Sequence, residues 1–279
     1  MTRDMNDSGP APSTKYWHDH VLGCDVGRAY VRGHSFPRHS HETFILLVSE
    51  QGAIKFARSG RSEDVGPESV ITLWPEEPHA GIPSAIAGWS YRALYPSPIT
   101  LRLLNAEFLG ERWELPNLPR VVHDRLLAAR LTAAHDTIER GEPMERETAF
   151  AGFISELIAR GLKIDCSDVP YTVSHAKIAR SIDFIHAHYS QSLSIHDLYA
   201  IESSTMFQFI RAFQRATGMS VHSYVTRVRL SQACRRLARG EPASQVATAV
   251  GFSDQSHLIR RFRQAFGVTP GAYVRDSRV

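Results

Sequence analysis

The chain has 279 residues, of which 43% are hydrophobic and 22% charged, and this composition is typical of a globular protein of one or two domains. It contains no apolar run of about 18 residues, so we expect no transmembrane helix. The three cysteines, Cys24, Cys166 and Cys234, are far apart, which favours a reducing cytoplasm over a disulfide framework or a zinc cluster. Residues 1–15 are polar, without the apolar core of a secretory signal, and are expected to form a flexible arm.

Charge is unevenly distributed along the chain. The formal net charge is only +3, but residues 1–174 contain 18 Lys/Arg and 23 Asp/Glu, a net of −5. Residues 175–279 contain 14 Lys/Arg and 6 Asp/Glu, a net of +8. A basic C-terminal third joined to a mildly acidic body indicates that this third meets a polyanion. Charge by itself does not distinguish a nucleic acid from a membrane surface.

The segment from residue 16 to about residue 98 has short runs typical of β-strands, with turn residues between them. The main runs are YVRGHSF, ETFILLVSEQG, AIKFARSG, SVITLWP and GWSYRALYP. Seven or eight short strands at this spacing predict a sandwich or barrel of jelly-roll type. In the last run, alternation places Trp89, Tyr91 and Tyr95 on one face and Arg92 on the other.

After residue 98 the pattern becomes helical. RVVHDRLLAARLTAAHDTIERG and ERETAFAGFISELIARG carry apolar residues at three- and four-residue spacing, with a break at residues 141–143. This predicts a helical hairpin whose apolar stripe packs on the barrel or forms a dimer contact, two uses that are compatible. Residues 162–173 are polar and are expected to be an interdomain linker.

The C-terminal region, residues 174–279, contains an internal repeat. TMFQFIRAFQRATGMSVHSY and DQSHLIRRFRQAFGVTPGAY align at a constant offset of 49 residues with six identities. Each copy reads as a capped helix, a glycine stop and a second capped start, and each follows a shorter apolar helix, over residues 194–200 or 243–249. A short helix, a turn and a longer helix make a helix-turn-helix, so the sequence predicts two such units joined by a long helix over residues 221–239.

The motif GFSDQSHLIRRFRQAFGVTPGAY, residues 251–273, resembles that of the AraC/XylS family of bacterial transcription regulators, whose members end in two linked helix-turn-helix units. The resemblance implies an α+β multidomain protein: an N-terminal cupin-like β-barrel with a helical hairpin, and a C-terminal all-α domain with two helix-turn-helix units. It further implies a cytoplasmic, sequence-specific regulator that binds double-stranded DNA. We expect a homodimer without enzymatic activity or membrane association, with RNA polymerase as a partner if the protein is an activator.

The resemblance also assigns DNA-contacting residues position by position. The side chains expected at base edges are Gln255, Ser256, Ile259 and Arg260 in the second unit, and Phe207, Gln208, Ile210 and Arg211 in the first. The groups expected at phosphates are Arg261, Arg263 and the helix start at Thr269. A merely solvated helix face is the competing interpretation of the same residues.

The stretch PRHSHETFILLVSEQGAIKF, with VGPESVITLWPEEPHAG after it, is similar to the cupin-like effector domain of many AraC/XylS regulators. We therefore expect residues 16–161 to bind a small-molecule effector and to dimerise. His39 and His41 share a face if both lie on a strand, and the resemblance brings His79 to the same opening. The expected pocket lining is His39, His41, Trp74, His79 and Tyr91.

Three imidazoles at a barrel mouth can hold Zn²⁺, Fe²⁺ or Mn²⁺. A catalytic cupin normally adds a glutamate four or five residues after the second histidine, where this chain has Ile45 and Leu46. No cofactor is therefore expected. A divalent metal on His39, His41 and His79 stays open as an alternative to histidines that merely line the rim. Two other hypotheses remain: a metal-dependent cupin enzyme with a DNA-binding tail, and a regulator whose barrel binds a protein partner.

Overall fold

A computed structural model of the chain describes residues 11–58, 60–83, 88–101, 119–161, 175–201 and 206–276. The chain divides into two compact units, Met1–Glu142 with Ala149–Val169 and Pro143–Thr148 with Pro170–Val279. The linker expected over residues 162–173 lies outside the described residues, as do the first ten residues of the expected arm. None of the described helices combines the length and the hydropathy of a membrane span.

The first unit is built mainly from antiparallel strands. The described strands are β1 (Ser13–Asp19), β2 (Cys24–Val31), β3 (Phe36–His39), β4 (Ile45–Gly52), β5 (Ile54–Arg58), β6 (Arg61–Val65), β7 (Ser69–Leu73), β8 (His79–Pro83), β9 (Trp89–Pro96) and β10 (Val121–His123). They form a six-stranded sheet in the order β1-β2-β9-β4-β7-β10 and a four-stranded sheet in the order β3-β8-β5-β6. The β-rich first unit expected from the sequence is therefore confirmed.

The core of the first unit lies between the two sheets. Alternate residues of β4 and β7, Ile45 with Leu47 and Ile71 with Leu73, meet Ile54 and others of the four-stranded sheet. Because side chains alternate between faces with a period of two, one residue in two along each strand reaches this core. In β4 and β7 the residues between these are buried as well, so both faces of the two strands are covered.

Several strand boundaries differ from the predicted ones. The run YVRGHSF is not one strand, because Gly33 has φ +68° and turns the chain between β2 and β3. Strands β1 and β6 were missed because STKYWHD and RSEDV are polar, as edge strands are when both faces meet water. Strand β1 begins at Ser13, inside the segment expected to be a mobile arm. The start of the predicted helical hairpin instead forms β10, which pairs with β7.

The helical hairpin is present as α1 (Arg125–Arg140) and α2 (Pro143–Gly161). Asp124 caps α1, because its carboxylate accepts hydrogen bonds from the backbone N–H groups of Leu126 and Leu127. The buried stripe of α1 consists of Leu127, Ala128, Leu131, Ala134, His135 and Ile138. Since α1 contacts β4, β7 and β9, this stripe packs on the six-stranded sheet. The dimer contact stays a prediction.

The second unit is helical and matches the predicted repeat. Its helices are α3 (His175–His188), α4 (Ile195–Ala200), α5 (Met206–Thr217), α6 (Val221–Ala238), α7 (Ala243–Ala249), α8 (Gln255–Phe266) and α9 (Pro270–Asp276). The pairs α4/α5 and α7/α8 are the two predicted helix-turn-helix units, and α6 is the predicted connector. Ser194 and Asp197 close a capping box at the start of α4.

Candidate functional site

A cavity of about 180 Å³ lies between the two sheets of the first unit. Most of its wall is aliphatic or aromatic, and its polar groups are histidines and tyrosines. The lining consists of Phe36, His39, His41, Ile45, Leu47, Ile54, Phe56, Ile71, Leu73, His79, Ala80, Gly81, Trp89, Tyr91 and Tyr95. An apolar cavity with a few convergent polar groups is the usual form of a small-molecule site.

Three histidines meet in this cavity. His39 ends β3 and His79 begins β8, and the two are Cα partners across these antiparallel strands. His41 lies beyond the end of β3, so it does not share the strand with His39 as alternation assumed. Its ring centroid is nevertheless 4.8 Å from that of His39 and 5.3 Å from that of His79. One side-chain nitrogen from each histidine lies within 4.8 Å of the other two.

Backbone carbonyl groups orient two of these rings. The Nδ1 atom of His39 lies 2.6 Å from the carbonyl oxygen of Pro37, and that of His79 lies 2.9 Å from the carbonyl oxygen of Glu77. Because a carbonyl oxygen can only accept, each Nδ1 carries the hydrogen and Nε2 is the acceptor of the neutral ring. Burial lowers the pKa of His41 and of His79, and the neighbouring His39 adds to both shifts.

Aromatic residues of β9 form one wall of the cavity. Trp89 stacks on Tyr91 with ring centroids 4.5 Å apart, and its indole N–H donates to the hydroxyl of Ser49 over 3.0 Å. Burial raises the pKa of Tyr91 and of Tyr95, which keeps both phenols protonated. Only Tyr91 was predicted as pocket lining. Tyr95 and Trp89 share its face by alternation, so the signal for all three was present in the sequence.

The prediction that Trp74 lines the pocket is wrong. Ile71 and Leu73 face the cavity, so the next residue along the strand direction takes the opposite side. Trp74 packs there against Phe44, with ring centroids 5.2 Å apart, and under the guanidinium of Arg120 at 5.0 Å. Its indole therefore belongs to a different cluster from the three histidines.

Glu77, which sequence reasoning missed, supports the rim beside His79. Its carboxylate accepts hydrogen bonds from Arg58 over 2.5 Å and from Arg120 over 2.9 Å. These donors, with the backbone N–H of Trp74, outweigh burial and lower the pKa of Glu77. Because the carbonyl oxygen of the same residue accepts from His79, the ion-pair cluster holds that imidazole in place.

In the second helix-turn-helix unit, α8 has one buried and one exposed face. Leu258 and Phe262 are fully buried, whereas Gln255, Ser256, Arg260 and Arg263 are exposed and Ile259 is half-buried. Asp254 caps the helix, its carboxylate accepting from the backbone N–H of His257 over 2.8 Å. Gly267, with φ +74°, ends it in the left-handed conformation that glycine favours.

Arg261 and Thr269 are engaged within the second unit. The guanidinium of Arg261 donates to the carboxylate of Glu145 over 2.9 Å, and its side chain is only 18% exposed. Helical spacing explains this low exposure, since with 3.6 residues per turn position 261 lies between the buried His257 and Leu258 around the axis of α8. The phosphate contact predicted for Arg261 would have to replace its ion pair with Glu145. Thr269 directly precedes α9, and its hydroxyl accepts from the backbone N–H of Ala272 over 3.2 Å. Phe266, expected in the buried stripe, is 44% exposed.

The equivalent helix of the first unit, α5, buries a wider sector. Phe209, Ala212 and Phe213 are fully buried, and Ile210 is only 7% exposed, so the predicted base contact by Ile210 is wrong. Helix α5 packs against α3, α4 and α6. Gln208 and Arg211 are half-buried, and the side chain of Phe207 lies outside the described part of the chain.

Comparison with known proteins gives two matches along the chain. Residues 22–154 match an AraC-like ligand binding domain, and residues 202–276 match a helix-turn-helix domain. The chain is similar to the HTH-type transcriptional regulator YbfI of Bacillus subtilis, with 25% identity over 226 residues, 80% of this chain and 81% of YbfI. It is also similar to the HTH-type transcriptional activator RhaS of Pectobacterium carotovorum, with 24% identity over 249 residues, 85% of this chain and 86% of RhaS.

The chain is also similar to a solved structure. A probable AraC family transcriptional regulator from Rhodopseudomonas palustris has 27% identity and a TM-score of 0.35, over 37% of this chain and 99% of that one. The two family matches follow one another in the order in which the structure has its β-rich unit and its paired helix-turn-helix units. The chain therefore belongs to the AraC/XylS family, as a DNA-binding transcription regulator with an N-terminal ligand-binding domain.

Proposed function

We propose that the outward face of α8 reads a specific DNA sequence, with α5 as a second reading helix. The observation that carries this is the division of α8, where the core takes up Leu258 and Phe262 while two arginines and a glutamine stay in solvent. A helix that is anchored on one face and polar on the other fits the major groove.

The exposed side chains suit particular groups of DNA. Arg260 can donate two hydrogen bonds to guanine, Gln255 can pair with adenine, and Ile259 can contact the methyl group of thymine. Arg263, nearer the end of the helix, suits a phosphate. If α5 and α8 lie about 34 Å apart on one face of the duplex, they enter successive major grooves.

Replacing Arg260 tests this assignment. The full chain first selects its preferred duplex from a random library, and the affinity for that duplex is then measured by fluorescence anisotropy at fixed salt. We expect Arg260→Ala to weaken binding by about 1–3 kcal/mol and to relax selectivity at one base pair, because the bidentate contact is lost.

Arg125→Ala is the matched control, because it removes one arginine that is 85% exposed in the first unit. We expect this variant to bind the selected duplex as tightly as the unmodified chain. Equal losses in both variants would mean that only net charge matters. Failure of the unmodified chain to select any duplex would contradict sequence-specific recognition itself.

We further propose that the cavity of the first unit binds the effector. Its volume of about 180 Å³ resembles that of an engineered cavity of about 150 Å³ that binds benzene, so a ligand with a single ring or a short carbon skeleton fits. The lining supports an apolar body with one or two polar groups near His41 and Tyr95.

Truncation of one aromatic wall residue tests the effector site. A thermal-shift screen of the full chain against sugars, amino acids and aromatic acids identifies a ligand. At a concentration of a hundred times its Kd, such a ligand stabilises the folded protein by about 2.7 kcal/mol. We expect Tyr91→Ala to weaken the binding of that ligand about tenfold or more, because one wall of the site is lost. Trp74→Ala, an aromatic truncation outside the cavity, should leave its affinity unchanged, and the opposite pattern would contradict the assignment.

Regulation requires that the effector bind two states of the protein with different affinity. The expected result is a change in affinity for the selected duplex when the effector is added. We propose that the protein acts in the cytoplasm as a homodimer, contacts RNA polymerase if it activates, and performs no catalysis. The relatives, which are transcriptional regulators, and the apolar Ile45 and Leu46 in place of a catalytic glutamate support the last point.

A further inference from the structure

The three histidines of the cavity are arranged as metal ligands. They come from three places in the fold, the end of β3, the segment after it and the start of β8, so packing of the four-stranded sheet brings them together. Their ligating nitrogens lie within 4.8 Å of one another. Three ligands of a tetrahedral zinc ion are about 3.4 Å apart, given Zn–N distances of about 2.0–2.1 Å, so rotations that move each ring by about 1 Å close the site.

The hydrogen bonds of the other ring nitrogens, which point away from the proposed ion, support the arrangement of these histidines as metal ligands. Metal-bound histidines characteristically donate the other N–H to a carbonyl or carboxylate oxygen, which fixes the tautomer and aims the free nitrogen at the ion. His39 donates in this way to Pro37, and His79 donates to Glu77. Glu77 is in turn held by Arg58 and Arg120, so the support extends one layer further from the cavity.

The set of ligands is incomplete for a closed structural site. Three nitrogen ligands leave at least one open coordination position, as in catalytic zinc sites. Glu77 does not complete the set, because both of its oxygens already accept hydrogen bonds from arginine or from backbone N–H. The described lining of the cavity contains no Lys, Arg, Asp or Glu. A bound divalent cation would therefore be the only full charge facing the ligand within that lining.

We propose that His39, His41 and His79 bind a first-row divalent metal ion and that the open position of this ion takes the anionic group of a small organic acid. The carboxylate of such an acid would coordinate the ion, and its apolar body would lie among Phe36, Phe56 and Trp89. The second half of this proposal rests on the proposed function of the cavity as the effector site, and the first half does not.

Metal binding is tested on the full chain after treatment with EDTA. Titration with Zn²⁺ by calorimetry, with the metal content then determined after gel filtration, is expected to give one ion per chain. We expect His41→Ala and His79→Ala each to weaken the binding of Zn²⁺ about tenfold or more. Residue 41 lies outside the strands. His20→Ala removes an exposed histidine of the same unit and should bind Zn²⁺ like the unmodified chain. Absence of stoichiometric Zn²⁺, or equal affinity in all three variants, would overturn the proposal.

The ligand class is tested with benzoate as the probe and benzyl alcohol as its uncharged match. Benzoate is expected to shift the visible absorption of the Co²⁺-loaded chain and to raise the melting temperature of the Zn²⁺-loaded chain only. Equal stabilisation with and without metal, or by benzyl alcohol as much as by benzoate, would overturn the organic-acid half. Binding of the selected duplex is followed in parallel. An unchanged affinity for the duplex when benzoate is bound would contradict the proposed effector function of the cavity, and it bears on neither metal result.

Discussion

Truncation of Phe262 to alanine is expected to unfold the second helix-turn-helix unit at ordinary temperature or close to it. The ring is fully buried and packs with Leu230, Leu237 and Leu258 in one cluster. Removal of a buried phenylalanine side chain costs about 3–5 kcal/mol, because the transfer free energy is lost and a cavity remains. That is a large share of the stability of a small domain, about 5–15 kcal/mol. Urea denaturation followed by circular dichroism at 222 nm measures the loss, and binding of the selected duplex should fail with it.

Phe266→Ala provides the matched control one helical turn further on. This ring is 44% exposed and contacts Phe262 and Tyr273 at centroid distances of 4.6 and 6.1 Å. Because nearly half of this side chain already lies in water and only two tilted ring contacts are lost, we expect a cost of about 1 kcal/mol. Equal destabilisation by the two variants would show that α8 is rotated from the orientation described, with all three apolar positions of its stripe buried.

Alanine at Gly52 is expected to destabilise the first unit by more than about 4 kcal/mol, which is rare for a single substitution. Gly52 ends β4 with φ +70°, a left-handed conformation that costs other residues about 1–2 kcal/mol. An added Cβ would also lie 2.0 Å from the carbonyl oxygen of Gly88, an atom of the backbone that cannot rotate away. Because Gly52 is the partner of Trp89 across β4 and β9, relief of the clash must separate these strands beside the cavity. Urea denaturation and soluble yield measure the effect.

Gly60→Ala separates the two causes. Gly60 also has a positive φ, +77°, but an added Cβ there meets no atom within 4 Å. We expect this variant to lose only the conformational part, about 1–2 kcal/mol. If Gly52→Ala were no worse than Gly60→Ala, the close approach of Gly52 to Gly88 would be contradicted.

The helices of the second unit could be predicted closely because their signals are local. Gly218 and Gly267 adopt positive φ as the glycine stops of the two copies, and the two copies are separated by a constant offset along the chain. In the second unit, the predictions that failed concern the burial of residues at the edges of the apolar stripes. Ile210 and Phe266 follow the same periodic pattern as their neighbours, but Ile210 is buried and Phe266 is 44% exposed, because packing between helices and not local spacing sets burial at the edge of a stripe.

The first unit was predicted only in outline. Polar edge strands carry no alternating pattern, so β1 and β6 were not predicted from the sequence. The three residues of β10 were assigned to a helix. Alternation put Trp89, Tyr91 and Tyr95 on one face correctly. It could not tell which face of a short segment such as SVITLWP meets the cavity, and Trp74 was placed on the wrong one.

The sequence by itself determined the helix caps, the glycine stops, the repeated helix-turn-helix and the division into a β-rich and a helical part. All of these depend on contacts within a few residues along the chain, where spacing fixes geometry. Only the tertiary structure decided that His41 joins His39 and His79 from outside the strand, that Glu77 supports the rim, and that Arg261 pairs with Glu145. These contacts join residues distant in sequence, and their geometry is set by how sheets and helices pack.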